Sequence, residues 1–500
     1  MGLTDRANSS GRAYDTWRAV ALAVLLGVGV GVAGAILPAP YVFAVCILLP
    51  AMIWLLVRMR TGAFTLDGPG WSLLAVLIAL PMALHISAQG ISLGRPVLGR
   101  MEGESVSLNA VVVACWSAMA ILLLVLGRET RVRGRLWKPV LWFVLANTMA
   151  LSFGWLRMAL AGTTSLREML SSALIAAQIV VPLIAYLLVV NSRVSAPKAM
   201  RLMAIMMGVV GIWALAQTLQ TARVVGVDMF RGKYAEYISF FGARMYTVQY
   251  ATYWPTVVSV LGTYLAALLL IGRRRSRTAT LAITAALLAV IAYQAFLGER
   301  RAAVLTLFFG CILVAGFARN LKVSLGLLAM IAGFAVALAA AGDTVAFVRF
   351  SYLIGPSQSR SVSERLDVMR GAAGRIVDNP IVGAAYTPFD AGDPLEDGIL
   401  RIPSAHNFYL DLAQKAGLVA LLLYLVLLAL ASHVAWRVAR WADDPSTRVV
   451  GVTVFVSFVL VSLVSNQLQN TFSQLYPGIF FWTLIALCEI ALPPVRRMSS

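Results

Sequence analysis

The chain has 500 residues, of which 60% are hydrophobic and 13% charged, and a formal net charge of +19. A soluble domain is closer to half apolar and a quarter charged, so the composition points away from a soluble protein. The excess of cations fits loops that set membrane topology and meet anionic lipid, and nucleic acid is not expected as a partner.

In chain order, apolar runs fall at 17–37, 40–57, 71–88, 107–127, 138–156, 170–190, 200–219, 252–271, 279–298, 302–318, 323–341, 408–435, 449–466 and 475–492. Each has roughly the length of a bilayer-spanning helix, about 20 residues. A membrane β-barrel would show short alternating segments instead. The expected fold is therefore all-α: a polytopic helical membrane protein with about 12–14 spans. Arg6, Arg12 and Arg18 lead into the first run, which is expected to stay as an anchor and not to be cleaved as a signal peptide. Cys46, Cys115, Cys311 and Cys488 all lie inside apolar runs without Cys-x-x-Cys spacing, and are expected to act as small hydrophobes.

The loops alternate in Lys and Arg content. "RETRVRGRLWK", "NSRVSAPKAMR", "RRRSR", "ARNLK" and "WRVARWADDPSTR" belong on the cytoplasmic side, with both termini. Three polar segments then face outward: 220–250, the short turn 297–301 and the long loop 342–407. The chain divides into N-terminal spans at 1–219, a core at 220–435 including the loop, and C-terminal spans at 436–500.

Within the loop, "SVSERLDVMRGAAGRIVDNP" begins as a capping box, Ser361 followed by Glu364. Val362, Leu366, Met369, Ala373 and Ile376 recur at helical spacing, and Asn379-Pro380 stops the pattern. An amphipathic helix over 361–378 is expected, with Arg365, Arg370 and Arg375 on its polar side.

Glu299, Arg300 and Arg301 crowd the shortest outer turn. Two guanidiniums so near the apolar layer need a partner or a wet cavity. Glu299 can pair with one, leaving the other for an anionic ligand. The plainer alternative is that both reach up to the headgroups. Of the three histidines, His85 and His433 sit at span ends, where packing or headgroup contact accounts for them. His406 precedes Asn407 at the start of a span, directly after the polar loop. A lone His at a helix start is more often structural. An imidazole is also the best general base near neutral pH, and a helix N-terminus keeps it neutral. No metal-binding, Walker A or dinucleotide motif occurs. Asp390, Asp393, Glu396 and Asp397 are spaced by Pro and Gly as a solvated loop would be. Neither a metal nor a cofactor is expected.

Three of these stretches together, "GERRAAVLTL", "SVSERLDVMRGAAGRIVDNPIVGAAYTPF" and "HNFYLDLAQKAGLVALLLYL", resemble the signature of the O-antigen ligase and polymerase superfamily over about residues 230–435. That signature runs from a Ser-Arg turn-and-helix element, through Ser-x-x-x-Arg and Asn/His-Pro-x-x-Gly-x-Gly, to His-Asn-x-Tyr-Leu and a helix Gly. This chain departs from it at Arg300 for the Ser, Ala385 for the second Gly, Lys415 for a Glu and Ala420 for a later Gly. The resemblance implies a fold like that of C-type membrane glycosyltransferases, with a partly helical periplasmic loop, in the bacterial inner membrane. It implies metal-independent, inverting transfer of a glycan from an undecaprenyl diphosphate carrier to an acceptor hydroxyl. It assigns His406, Arg301 and Arg365 to catalysis, and Arg300, Asn407, Arg370 and Tyr409 to substrate binding. The acceptor is a glycolipid for a ligase and a second carrier-linked glycan for a polymerase, and the residues do not separate the two. A transporter or flippase of lipid-linked glycan is the other class, although it would show repeats or midplane polar breaks. A purely structural scaffold would leave the Arg, Arg and His elements as coincidence.

Overall fold

Backbone groups in apolar surroundings have to be satisfied within their own segment, and a helix does this residue by residue. The computed structural model describes residues 134–160, 162, 166–190, 195–225, 239–240, 243–244, 254–273, 276–296, 301–318, 326, 329, 333, 359–386, 405, 407–468, 472 and 475–492. These form α1 (Trp137–Leu160), α2 (Leu166–Val190), α3 (Ala196–Val225), α4 (Trp254–Leu270), α5 (Arg277–Phe296) and α6 (Arg301–Ala318). After them come α7 (Ser359–Asp378), α8 (Phe408–Trp441), α9 (Pro445–Leu460) and α10 (Leu475–Ala491). A π-helical turn, Val461–Ser465, and a short helical turn, Asn466–Leu468, extend α9. The one β pairing among the described residues is a tiny antiparallel hairpin, β1 (Ser239–Phe240) with β2 (Ala243–Arg244), in the 220–250 segment.

The runs expected at 138–156, 170–190, 200–219, 252–271, 279–298, 302–318, 408–435, 449–466 and 475–492 each coincide with a helix over their described residues, apart from one or two at an end. Those at 17–37, 40–57, 71–88 and 107–127, and nearly all of 323–341, lie outside the described residues. Among the described residues, four helical stretches are long and apolar enough to cross a bilayer: Trp137–Leu160, Arg277–Gln294, Phe408–Trp441 and Pro445–Ser465. Shorter apolar helices accompany them.

The bundle is apolar on its outside as well as its inside. In α1, Val140, Phe143, Ala150 and Met158 are buried at helical spacing, while Trp142 is 61% exposed, Met149 69% and Leu160 80%. Large apolar side chains turned outward in this number suit lipid contact, not water. Inside, α4 is flanked by α5, α6 and α9, α8 packs on α9 and α1, and α10 packs on α2. Aromatic rings fill the junction of α1, α8, α9 and α10. Phe408 and Phe143 each lie 5.0 Å from Tyr424, and Trp482 stacks edge-on to Tyr424 at 6.3 Å.

The amphipathic helix in the loop is present as α7, starting two residues before the expected cap and ending before Asn379-Pro380. Its inner line differs from the sequence pattern. Ala372 is the fully buried position, Met369 and Ile376 are half-buried, and Leu366 and Ala373 are exposed. Among the described side chains, the stripe is therefore only partly buried.

α8 is broken at Gly417, which has φ +82°. The turn 380–386 docks there. Ala384 N donates to Gln414 O (2.6 Å), Tyr386 N to Lys415 O (3.2 Å), and Leu418 N to Pro380 O (2.7 Å). A Cβ on Gly417 would lie 1.8 Å from Ile381 O. Gly417→Ala is therefore expected to lower stability by at least ~2 kcal/mol, from left-handed strain plus the clash, as read by thermal melting in detergent.

At the other end of α8, Asp444 caps α9. It accepts from Thr447 N (3.0 Å), Thr447 Oγ1 (2.9 Å) and Arg273 Nη2 (3.0 Å). Partial desolvation pushes its pKa up, but the hydrogen bonds from Thr447, Ser446 and Arg273 outweigh it and hold the carboxyl below its usual range. A depressed carboxylate adds stability that is full above its unfolded pKa, about 4, and is lost as pH falls through the folded value. The melting-temperature gap between wild type and Asp444→Ala should be open at pH 7 and narrow towards pH 3.

Candidate functional site

The start of α8 carries the sequence element that most invites chemistry. Asn407 is its N-cap: Oδ1 accepts from Tyr409 N (3.0 Å) and Leu410 N (3.2 Å). A side-chain amide at this position satisfies donors that the helix itself cannot. Its Nδ2 donates to Gln467 Oε1 at 2.7 Å, tying the mouth of α8 to the end of α9. Tyr409 donates from its hydroxyl to Ser462 O at 2.7 Å. Ser462 lies in the π-helical turn, where the widened backbone frees a carbonyl for such a contact.

One turn further, Asp411 is buried with its carboxylate turned back towards the loop. Oδ1 accepts from Ala405 N (2.7 Å) and Gln414 Nε2 (2.8 Å), and Oδ2 lies 3.7 Å from Lys415 Nζ. Gln414 Oε1 in turn accepts from Arg375 Nε (3.1 Å) and Nη2 (2.9 Å) of α7. The chain Arg375–Gln414–Asp411–Ala405 runs from the loop helix to the residue before His406. His406 itself lies outside the described residues, but its sequence neighbours, Ala405 and Asn407, are both fixed by hydrogen bonds.

The docked turn 380–386 is held from its far side too. Tyr386 donates to Asn147 Oδ1 of α1 at 2.5 Å, and Arg157 Nη1 donates to Asn379 Oδ1 at 3.2 Å. Complete burial pushes the Tyr386 phenol up, so its proton stays available for that bond. Ala385 and Tyr386 both have left-handed backbone, with φ +56° and +58°. Ala385 occupies the position where the resembled pattern has its second Gly, which accounts physically for a preference for glycine there.

Arg301 is the first residue of α6. Two residues on, Ala303 O accepts from Ser259 Oγ of α4 (2.8 Å), and Gln294 Nε2 of α5 donates to the same Ser259 Oγ (3.0 Å). At the start of α4, Thr256 Oγ1 lies 3.5 Å from Ser465 Oγ of the π-helical turn. The starts of α4, α6 and α8 and the end of α9 therefore share one end of the bundle. Arg300, and the side chains of Arg301 and Arg365, lie outside what the structure describes. Arg365 lies ten positions before Arg375 in α7, which is about 15 Å along the helix axis from the anchored end. Arg370 is exposed and pairs with Asp367 at 3.1 Å.

The arginine brought against α8 is thus Arg375, which the motif reading left as one of three on a polar face. Asp411, Gln414 and Gln467 are further participants that the motif reading missed. Their signal in the sequence is the run of polar residues Asp411, Gln414 and Lys415 at the head of an otherwise apolar helix. Among the described residues, no group of three or more His, Cys, Asp or Glu side chains could hold a metal ion.

No protein-family model matches the chain, and no curated protein sequence matches it.

Removing Asp411 would leave Ala405 N and Gln414 Nε2 without this acceptor and Lys415 without its counter-charge. Asp411→Ala is expected to cost ~3–5 kcal/mol in detergent melting. Arg375→Ala should cost ~1–3 kcal/mol and speed proteolytic cleavage of the α7 segment.

Proposed function

We propose that the protein is an inverting glycosyltransferase of the O-antigen ligase type, acting on the periplasmic face of a bacterial inner membrane. In this reading it has about 12–14 spans and both termini in the cytoplasm. The observation that carries it is the docking of 380–386 onto the break in α8. Two stretches about thirty residues apart, each part of the resemblance, meet there through three backbone hydrogen bonds and bracket His406 in the sequence.

The donor is a glycan on undecaprenyl diphosphate and the acceptor is a hydroxyl of a glycolipid. The acceptor oxygen forms a bond to the anomeric carbon as the bond from that carbon to the diphosphate oxygen breaks, with inversion. His406 takes the hydroxyl proton, and undecaprenyl diphosphate leaves. Arg301 and Arg365 stabilise the charge that develops on the diphosphate, work that fixed guanidiniums can do. Arg300 and Arg370 extend that cationic lining. Asn407 and Tyr409 shape the floor under the acceptor, since the hydrogen bonds they make to Gln467 and to Ser462 hold them in place.

His406→Ala is expected to reduce transfer by about 10²–10⁴-fold with the melting temperature unchanged. The assay follows glycan moving from the carrier to the acceptor in membranes. Full activity of this variant removes the base role. The closely related polymerase reading is separated by the carrier-linked glycan of cells lacking the protein. Long chains stranded on the carrier mean ligation is the missing step, and single repeat units mean polymerisation is.

A further inference from the structure

A cleft of about 770 Å³ lies between α3, α4, α5 and the start of α9. Pro197 and Arg201 at the start of α3, and Ser446 at the start of α9, mark one end of it. That end is opposite to the one holding Asn407, because α9 begins here and finishes beside Asn407. Along α5 the lining runs from Ala279 to Tyr293, a length of about 21 Å at 1.5 Å per residue. This exceeds one leaflet of hydrocarbon, about 15 Å deep.

The lining has a polarity of its own. Among the described residues that form it, Arg201 is the one charged side chain and none is acidic. The rest is apolar apart from Ser446 and the hydroxyls of Tyr264 and Tyr293, with small residues such as Gly208, Ala282 and Ala286 leaving the space open. Ile205 and Ile212 line the cleft and are 55% and 71% exposed, so it opens sideways, to where the bilayer would be. A long apolar slot with a cation at its mouth and lateral access suits a lipid: one acyl chain in the slot and an anionic headgroup on the guanidinium.

We propose that this cleft is a binding site for one anionic phospholipid, its acyl chain along α3 and α5 and its phosphate on Arg201. The site is separate from the transfer chemistry and stands or falls without it.

Native mass spectrometry of the purified full-length protein in mild detergent tests this, with phosphatidylglycerol and phosphatidylcholine of matched chains as probes. The wild type should retain one phosphatidylglycerol with about ten-fold preference over phosphatidylcholine, the scale of one charge-assisted contact. Arg201→Gln should bring the two lipids close to parity. Gly208→Phe should lose both, because a Cβ at Gly208 meets no atom within 4 Å and the ring would occupy open space. Melting temperatures establish that each variant is folded, and Ala286→Phe replaces Gly208→Phe if that variant is not. A wild type that retains no lipid overturns the proposal, as does one that does not discriminate between the two. Unchanged retention when the cleft is filled overturns it too. Tighter retention of a polyprenyl phosphate than of phosphatidylglycerol overturns the assignment of the occupant.

Discussion

A helix interrupted within an apolar bundle leaves carbonyls and amides with no water to take them, and each costs several kcal/mol if left alone. Gly417 makes such an interruption in α8, and the turn 380–386 answers it. Ala384 and Tyr386 supply amides to the carbonyls of Gln414 and Lys415, and Leu418 returns its amide to Pro380. Gly383 and Gly417 can face each other this closely because neither has a side chain. At Gly383 a Cβ would lie 2.7 Å from Gln414 O and from Gly417 N. The position of α7 follows from this docking, since the turn is the direct continuation of that helix. With α7 placed, Arg375 reaches Gln414, Gln414 is turned to Asp411, and Asp411 holds Ala405. The geometry ahead of α8 is thus inherited from a backbone constraint eleven residues away from His406.

Much of this was legible in the sequence and some of it was not, for physical reasons. Long apolar runs report helices directly, because in lipid-like surroundings no other local structure satisfies the backbone. The helices α1 to α6 and α8 to α10 accordingly follow the apolar runs, α3 running on to Val225 past the expected 219 and α8 to Trp441 past the expected 435. The stop at Asn379-Pro380 was legible because proline constrains the residue before it. The inner line of α7 was not, because periodicity gives a stripe and not the depth to which it is buried. Helical spacing pointed to Ala373, and packing against α8 selects Ala372. Nor could spacing say which arginine of α7 meets α8. That depends on where the turn docks, a tertiary fact, and it falls on the last of the three. Asn407 as a cap was half legible: its residue type suits the position, but its bond to Gln467 joins segments sixty residues apart.

Polar groups inside the bundle follow the same economy of partners. Ser259 donates to Ala303 O and accepts from Gln294, so one hydroxyl stitches α4 to both α5 and α6. Tyr186 of α2 and the amide of Arg135 both donate to Glu489 near the end of α10. Such contacts join helices whose apolar sides give no orientation of their own, since lipid is as good a neighbour as another helix. They also concentrate at helix ends, where unpaired backbone groups and short polar side chains are found together.

The two ends of the bundle differ in a way that bears on function. At the end with α8's mouth, hydrogen bonds run from side chain to side chain and fix the backbone on both sides of His406. At the other end, the cleft beside Arg201 is bounded mainly by apolar side chains, large ones such as Leu261, Leu265 and Ile283 among them, with few polar atoms to hold a solute. The proposed transfer needs a restrained setting, and among the described residues the hydrogen-bonded chain Arg375–Gln414–Asp411–Ala405 supplies restraint at the first end. The second end offers length and apolar surface with a single charge, which suits an amphiphile held but not transformed. The same apolar bundle can serve both because the restraint is local. It comes from the break at Gly417 and the cap at Asn407, and neither extends along α9 to the cleft.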